Sequence, residues 1–140
     1  MILENKWKKT YKKQKKKIDK ILKNNFSKVL KTEKLDAIKD LKSLATRKSS
    51  ELTLNALTKV NNTLIGGSAD LAGSNNTKTK YHKITKPGDF NSDYIHYGVR
   101  EHAMSGIMNG LALHSNFIPY GGTFLIFSDY CKPSIRLSAL

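Results

Sequence analysis

The sequence predicts an α/β chain, with part of a parallel sheet preceded by a basic helical segment. Two observations carry this reading. From Thr63 onward, short apolar runs ending in glycine alternate with stretches of helical period, which is the rhythm of a parallel sheet. Before that the charge is lopsided. Through Lys48 there are 17 Lys plus Arg against 5 Asp plus Glu, and from Ser49 onward 8 against 6. A length of 140 residues fits one domain or a piece of one.

Taken in order, Leu3, Trp7, Tyr11, Ile18, Leu22, Phe26 and Leu30 recur at spacings of three to four or their sum, with lysines between them. This is an amphipathic helix with one narrow apolar stripe. A second short helix is expected over Leu35 to Leu44. A third starts near Thr46, capped by Thr46 or Ser49, with Leu52, Leu54, Ala56, Leu57 and Val60 on its apolar side. Thr63-Leu64-Ile65 is a buried-strand candidate that Gly66-Gly67 should end. Lys78 to Asp93 is rich in Lys, Thr, Gly, Asn and Pro and reads as a surface loop.

Tyr94 to Tyr97 is the second strand, ended by Gly98. A helix follows with Met104, Ile107, Met108, Leu111 and Ala112 on one side. Phe117 to Tyr120 makes the third strand, closed by Gly121-Gly122. The last helix begins near Thr123, is kinked or restarted by Pro133, and is expected to be still running at Leu140. Three strands are few for a finished doubly wound domain, so a domain cut short is the expectation.

The formal charge of +14 sits almost wholly in the first third. A solvated lysine face accounts for it more simply than nucleic acid, since no nucleic-acid-binding signature accompanies the lysines. No run approaches the roughly 20 apolar residues that cross a bilayer, and the start lacks a signal-peptide core. One cysteine, Cys131, cannot form an intrachain disulfide. A soluble cytoplasmic protein with neither membrane nor nucleic-acid partner is the expectation. His82, His96, His102 and His114 show no metal-ligand spacing. His96 reads as a strand residue beside the candidate site, and the others as structural or exposed.

Three segments carry more specific information: Ser68-Ala-Asp-Leu-Ala-Gly-Ser-Asn75, Tyr94-Ile-His-Tyr-Gly-Val-Arg-Glu-His-Ala-Met104 and Pro119-Tyr-Gly-Gly-Thr-Phe-Leu-Ile-Phe-Ser-Asp-Tyr130. Together, in this order and spacing, they closely resemble the transketolase family. Thr46-Arg-Lys-Ser-Ser50 is similar to the arginine-bearing helix start that precedes them there, and Lys6-Trp7 to the pair opening the family's interdomain helix. The resemblance is good from Arg47 to Leu140 and loose before it. It implies a basic helical linker over residues 1–45 and a partial pyrimidine-binding domain of a thiamine diphosphate enzyme over 46–140.

The resemblance also implies roles. Glu101 would face the N1′ atom of the cofactor's aminopyrimidine ring, where a protonated, poorly solvated carboxyl group favours the imino tautomer that deprotonates the thiazolium C2. Read alone, it is a first-turn Glu suited to a helix dipole. Phe124, Phe127 and Tyr130, at i, i+3 and i+6, would be the aromatic wall of the pyrimidine pocket, Phe127 the surest stacking contact. Without the resemblance such a stripe is core packing. Asp70 would steady the thiazolium cation; helix capping is its plainer role. Arg47 and Ser74 would hold the substrate's terminal phosphate, a task that suits a guanidinium fork and a hydroxyl.

The family's diphosphate-binding Gly-Asp-Gly type motif does not occur in these 140 residues. The ligands for Mg²⁺ are therefore expected on a domain outside them, and this chain alone is expected to be inactive. The implied activity is transfer of a two-carbon ketol group between sugar phosphates in the pentose phosphate pathway, by a homodimer or with a companion chain. The alternatives are another thiamine diphosphate enzyme, such as a deoxyxylulose phosphate synthase or dihydroxyacetone synthase, and a non-catalytic remnant whose basic helix is an interaction arm.

Overall fold

A computed structural model describes residues 2–22, 43–89, 91–114 and 116–140. The first element is α1 (Ile2–Leu22), one uninterrupted helix of 21 residues. The remainder of the expected stripe, Phe26 and Leu30, lies outside the described residues, as does most of the Leu35 to Leu44 segment. Helix α2 (Thr46–Val60) begins where expected but without the expected cap. Ala45 is its N-cap residue, no side-chain cap bond forms, and Thr46 is already helical. Ser49 lies inside the first turn, where its carbonyl accepts from the Thr53 hydroxyl.

The sheet has three parallel strands in the order β2-β1-β3, formed by β1 (Leu64–Ser68), β2 (Tyr94–His96) and β3 (Ile118–Pro119). Gly66 and Gly67, expected to end β1, instead lie inside it. A side chain on Gly66 would strike the rings of Tyr120 and Tyr94, and one on Gly67 would strike the ring of Tyr97. Successive strand residues face opposite sides of a sheet, so the pair lets aromatic rings press onto both faces of the central strand. On one face Ala69, Tyr97 and Met104 form the apolar core, joined by Ile95 and Met108.

The other face is polar and tightly bonded. The segment between β1 and β2 contains a one-turn helix, α3 (Ala72–Asn75), and then the loop that the sequence predicts. Part of that loop is buried. His82 Nδ1 accepts from the Thr79 N–H at 2.9 Å, and His82 Nε2 lies 3.2 Å from the Tyr120 hydroxyl. The Tyr120 hydroxyl in turn donates to the Thr77 carbonyl at 2.7 Å. Nδ1 as acceptor leaves Nε2–H as the donor to Tyr120. Burial pushes the His82 imidazole below its ordinary pKa, with Asp93 opposing and Lys78 reinforcing that shift. Burial likewise pushes the Tyr120 phenol far above its ordinary range.

After Gly98 comes α4 (Glu101–His114), whose Met104 is buried while Ile107 and Ala112 remain exposed. Beyond β3 the expected α-helix starts instead as a seven-residue 3₁₀ helix (Leu125–Cys131), with α5 (Lys132–Ala139) following it. Pro133 sits in the first turn of α5, where its missing N–H costs nothing; it restarts the helix. Leu140 lies outside α5. Among the described residues no helix is long and apolar enough to cross a membrane.

Candidate functional site

A cleft of about 500 Å³ opens between Ala69, Asp70, Leu71, Val99, Glu101, Phe127 and Tyr130. These residues follow the carboxyl ends of β1, β2 and β3 respectively. β1 is flanked on either side by a strand that follows it in sequence, and open parallel sheets bind ligands outside strand ends at such a reversal of order.

The first wall is a turn held by Ser68. This fully buried residue donates its hydroxyl to the Gly122 carbonyl at 3.1 Å and accepts from the Leu71 N–H at 3.0 Å. Its carbonyl takes the Tyr97 N–H at 3.0 Å, and the next N–H, of Ala69, bonds to Gly122 at 3.1 Å. All three strand ends are thereby tied together. Asp70 emerges from this clamp with φ of 60°, a left-handed conformation that costs most residues energy and that Asp tolerates better than most. Its side chain does not cap α3, whose N-cap is Leu71.

The second wall comes from the turn after β2. Gly98 has φ of 68°, and a side chain there would collide with the Arg100 guanidinium. Arg100 folds back over the turn and donates to the Tyr97 carbonyl at 2.9 Å. The chain then enters α4 at Glu101, which lines the cleft yet is only 8% exposed. Among the described residues no hydrogen bond or ion pair engages its carboxyl group.

The third wall is aromatic. Phe124, Phe127 and Tyr130 form a ladder with ring centroids 5.9 and 6.3 Å apart and interplanar angles of 24° and 30°. A 3₁₀ helix has three residues per turn, so side chains at i and i+3 eclipse. Phe127 and Tyr130 line the cleft; Phe124 backs Phe127 from outside it. The last residue of this helix, Cys131, is buried and donates its thiol to the Glu101 backbone carbonyl at 3.3 Å.

Four of the residues expected at a site, Asp70, Glu101, Phe127 and Tyr130, thus line one cleft. Arg47 and Ser74 are exposed and do not line it, nor does His96. Sequence reading missed Val99, which is 75% exposed at the rim, although it stands within the quoted motif. It also missed Ser68 as the clamp and Cys131 as the tie; no local pattern marks either.

Residues 42–140 match the family profile described as transketolase, pyrimidine binding domain. This chain belongs to the transketolase family. Its relatives include a transketolase of Cereibacter sphaeroides, 56% identical over 97 residues, which are 69% of this chain and 15% of that protein. One from Aquifex aeolicus is 43% identical over an alignment covering 99% of this chain and 21% of the relative. Among solved structures, the transketolase from Campylobacter jejuni covers 99% of this chain with a TM-score of 0.81 at 37% identity, the match spanning 21% of that chain. A Pichia stipitis transketolase in complex with sedoheptulose-7-phosphate gives 0.75 at 36% identity, covering 98% of this chain and 22% of its own. The chain thus spans about a fifth or less of the length of these transketolases.

Proposed function

We propose that this chain supplies the pyrimidine-holding side of a thiamine diphosphate site in an enzyme that moves a two-carbon ketol unit between ketose and aldose phosphates. The observation that carries this is Glu101, a nearly buried carboxyl group without a partner, at the edge of an apolar cleft with a ladder of aromatic rings. A flat, weakly polar aminopyrimidine fits such a space by offset stacking. Its ring nitrogen would complete the hydrogen bonding of the carboxyl group.

When bound, thiamine diphosphate would supply a carbon acid, the thiazolium C2–H, whose deprotonated form is the nucleophile toward a ketose carbonyl. The protein's share is the rest. Glu101 would hydrogen-bond the pyrimidine ring nitrogen and so hold the proton exchanged there. Phe127 and Tyr130 fix the ring plane and exclude water from one side, and Phe124 braces Phe127. Asp70 places negative charge toward the thiazolium end. Arg47 and Ser74 bind the substrate's terminal phosphate from outside the cleft, an arrangement that rests on the family motif. Among the described residues no cluster of three or more His, Cys, Asp or Glu side chains would hold a metal ion. By the family resemblance, Mg²⁺ and the diphosphate would be held by other parts of the longer transketolases.

On this reading the enzyme works in the cytoplasm, in the pentose phosphate pathway, and as a homodimer or with a companion chain. The 140-residue chain alone is inactive. Residues 46–140 grafted into the Campylobacter jejuni transketolase in place of the matching segment test the reading. Ketol transfer by the graft, abolished by Glu101→Ala with folding intact, is the expected result. A graft that folds and assembles but never turns over, or one indifferent to Glu101, would sink the proposal. Turnover by the purified 140-residue chain would contradict its inactivity.

A further inference from the structure

On the reading that Asp70 faces the thiazolium end of the cofactor, we infer that Ser68 is a positioning residue for that contact. Its hydroxyl holds Asp70 in place without touching any ligand. The chain has two tasks where β1 ends. It must finish its pairing with β2, and it must turn sharply toward α3. Both tasks call on the Ser68 carbonyl. In an ordinary tight turn that carbonyl would accept the N–H three residues on, that of Leu71. Here the Tyr97 N–H from the neighbouring strand bonds to it at 3.0 Å. The Leu71 N–H goes instead to the Ser68 side-chain oxygen at 3.0 Å, a hydroxyl standing in for a carbonyl.

Asp70 lies inside this turn and lines the cleft. Its φ of 60° is left-handed, a conformation that persists for a residue with a side chain only where the surroundings fix it. Two bonds bracket it. Before it, the Ala69 N–H donates to the Gly122 carbonyl at 3.1 Å; after it, the Leu71 N–H donates to the Ser68 hydroxyl. The hydroxyl hydrogen is engaged as well, donating to the same Gly122 carbonyl at 3.1 Å. That bond fixes the rotation of the hydroxyl and leaves a lone pair for Leu71. An alanine at position 68 would keep the strand pairing and the Ala69 bond. It would lose both bonds of the hydroxyl, so Asp70 would be held on one side only. Ser68 is fully buried, and these partners all belong to this chain.

Residues 46–140 grafted into the Campylobacter jejuni transketolase supply the test. Thiamine diphosphate affinity is measured by calorimetry with Mg²⁺ present, and turnover at saturating cofactor. Ser68→Ala should weaken cofactor binding about tenfold and leave kcat at saturation within about twofold. Asp70→Asn removes the charge but keeps a side chain that tolerates the left-handed backbone. On that background Ser68→Ala should weaken binding by less than about a further twofold, because no charge is left to place. In the 140-residue chain itself, Ser68→Ala should speed amide exchange at Leu71 while the Tyr97 amide stays protected. Unchanged cofactor affinity in Ser68→Ala, or a full tenfold loss repeated on the Asp70→Asn background, would overturn the inference. So would exchange quickened alike at Leu71 and Tyr97, which would make Ser68 a general strut of the sheet. An unmutated graft that folds but does not bind thiamine diphosphate would sink the cofactor reading, and this inference with it.

Discussion

The thiol of Cys131 donates to the backbone carbonyl of Glu101 across 3.3 Å, joining the last residue of the 3₁₀ helix to the first residue of α4. The contact ties the helix that carries Phe127 and Tyr130 to the start of the helix that carries the Glu101 carboxyl group. Cys131→Ala removes a buried sulfur and a donor together. It should lower stability by about 1–3 kcal/mol, read from urea unfolding of the chain. A loss within error of zero would mean that the two helices are held by other contacts.

Gly98→Ala should cost more than Gly88→Ala. Both glycines have positive φ, 68° and 79°, so both carry the left-handed penalty of about 1–2 kcal/mol. Only at Gly98 does the new methyl also meet the Arg100 guanidinium; around Gly88 there is open space. Comparing the two unfolding free energies isolates the collision. Equal losses would show that Arg100 moves aside freely.

Tyr120→Phe deletes the donor to the Thr77 carbonyl and the acceptor for His82 Nε2–H. Leaving such groups unpaired in a half-buried setting should destabilise the chain by about 1–3 kcal/mol. Amide exchange along residues 76–82 should accelerate selectively, since that segment loses its tether. Uniform acceleration across the sheet would contradict a local anchoring role.

Acid should loosen the same tether. Burial holds the folded-state pKa of His82 below its ordinary value of 6.5, with Asp93 and Lys78 as the charged groups acting on it. The unfolded chain therefore takes up a proton on His82 before the folded chain does. This contribution is fully present above pH 6.5 and is lost as pH falls through the lower folded value. His82→Gln should flatten the slope of stability against pH between those limits. An unchanged slope would assign the acid sensitivity to the carboxylates.

Much of the architecture was legible because it is periodic or punctuated. The spacing of Leu3, Trp7 and Tyr11 marks α1, and the glycine-ended runs mark three strands that do pair in parallel. The motif segments gathered Asp70, Glu101, Phe127 and Tyr130, and these share one cleft. What escaped reading depends on distant chain. Gly66 and Gly67 look like a strand end, yet Tyr94, Tyr97 and Tyr120 turn them into seats for aromatic rings. Thr46 looks like a cap, but it is already the first helical residue, and Ala45 takes the N-cap position without a side-chain bond. The 3₁₀ helix is invisible to a 3.6-residue template because Phe124, Phe127 and Tyr130 satisfy either period over so short a run.

A repeat of three whole residues per turn makes length the guarded quantity in the segment from Phe124 to Tyr130. Exchanging Phe for Tyr or Leu leaves each rung in place. Adding or deleting one residue turns everything beyond it by about a third of a revolution, swings Tyr130 off the ladder, and carries Cys131 away from Glu101. The segment is thus tolerant of spelling and intolerant of indels, and a length scan through it would show a threshold where a substitution scan shows a slope.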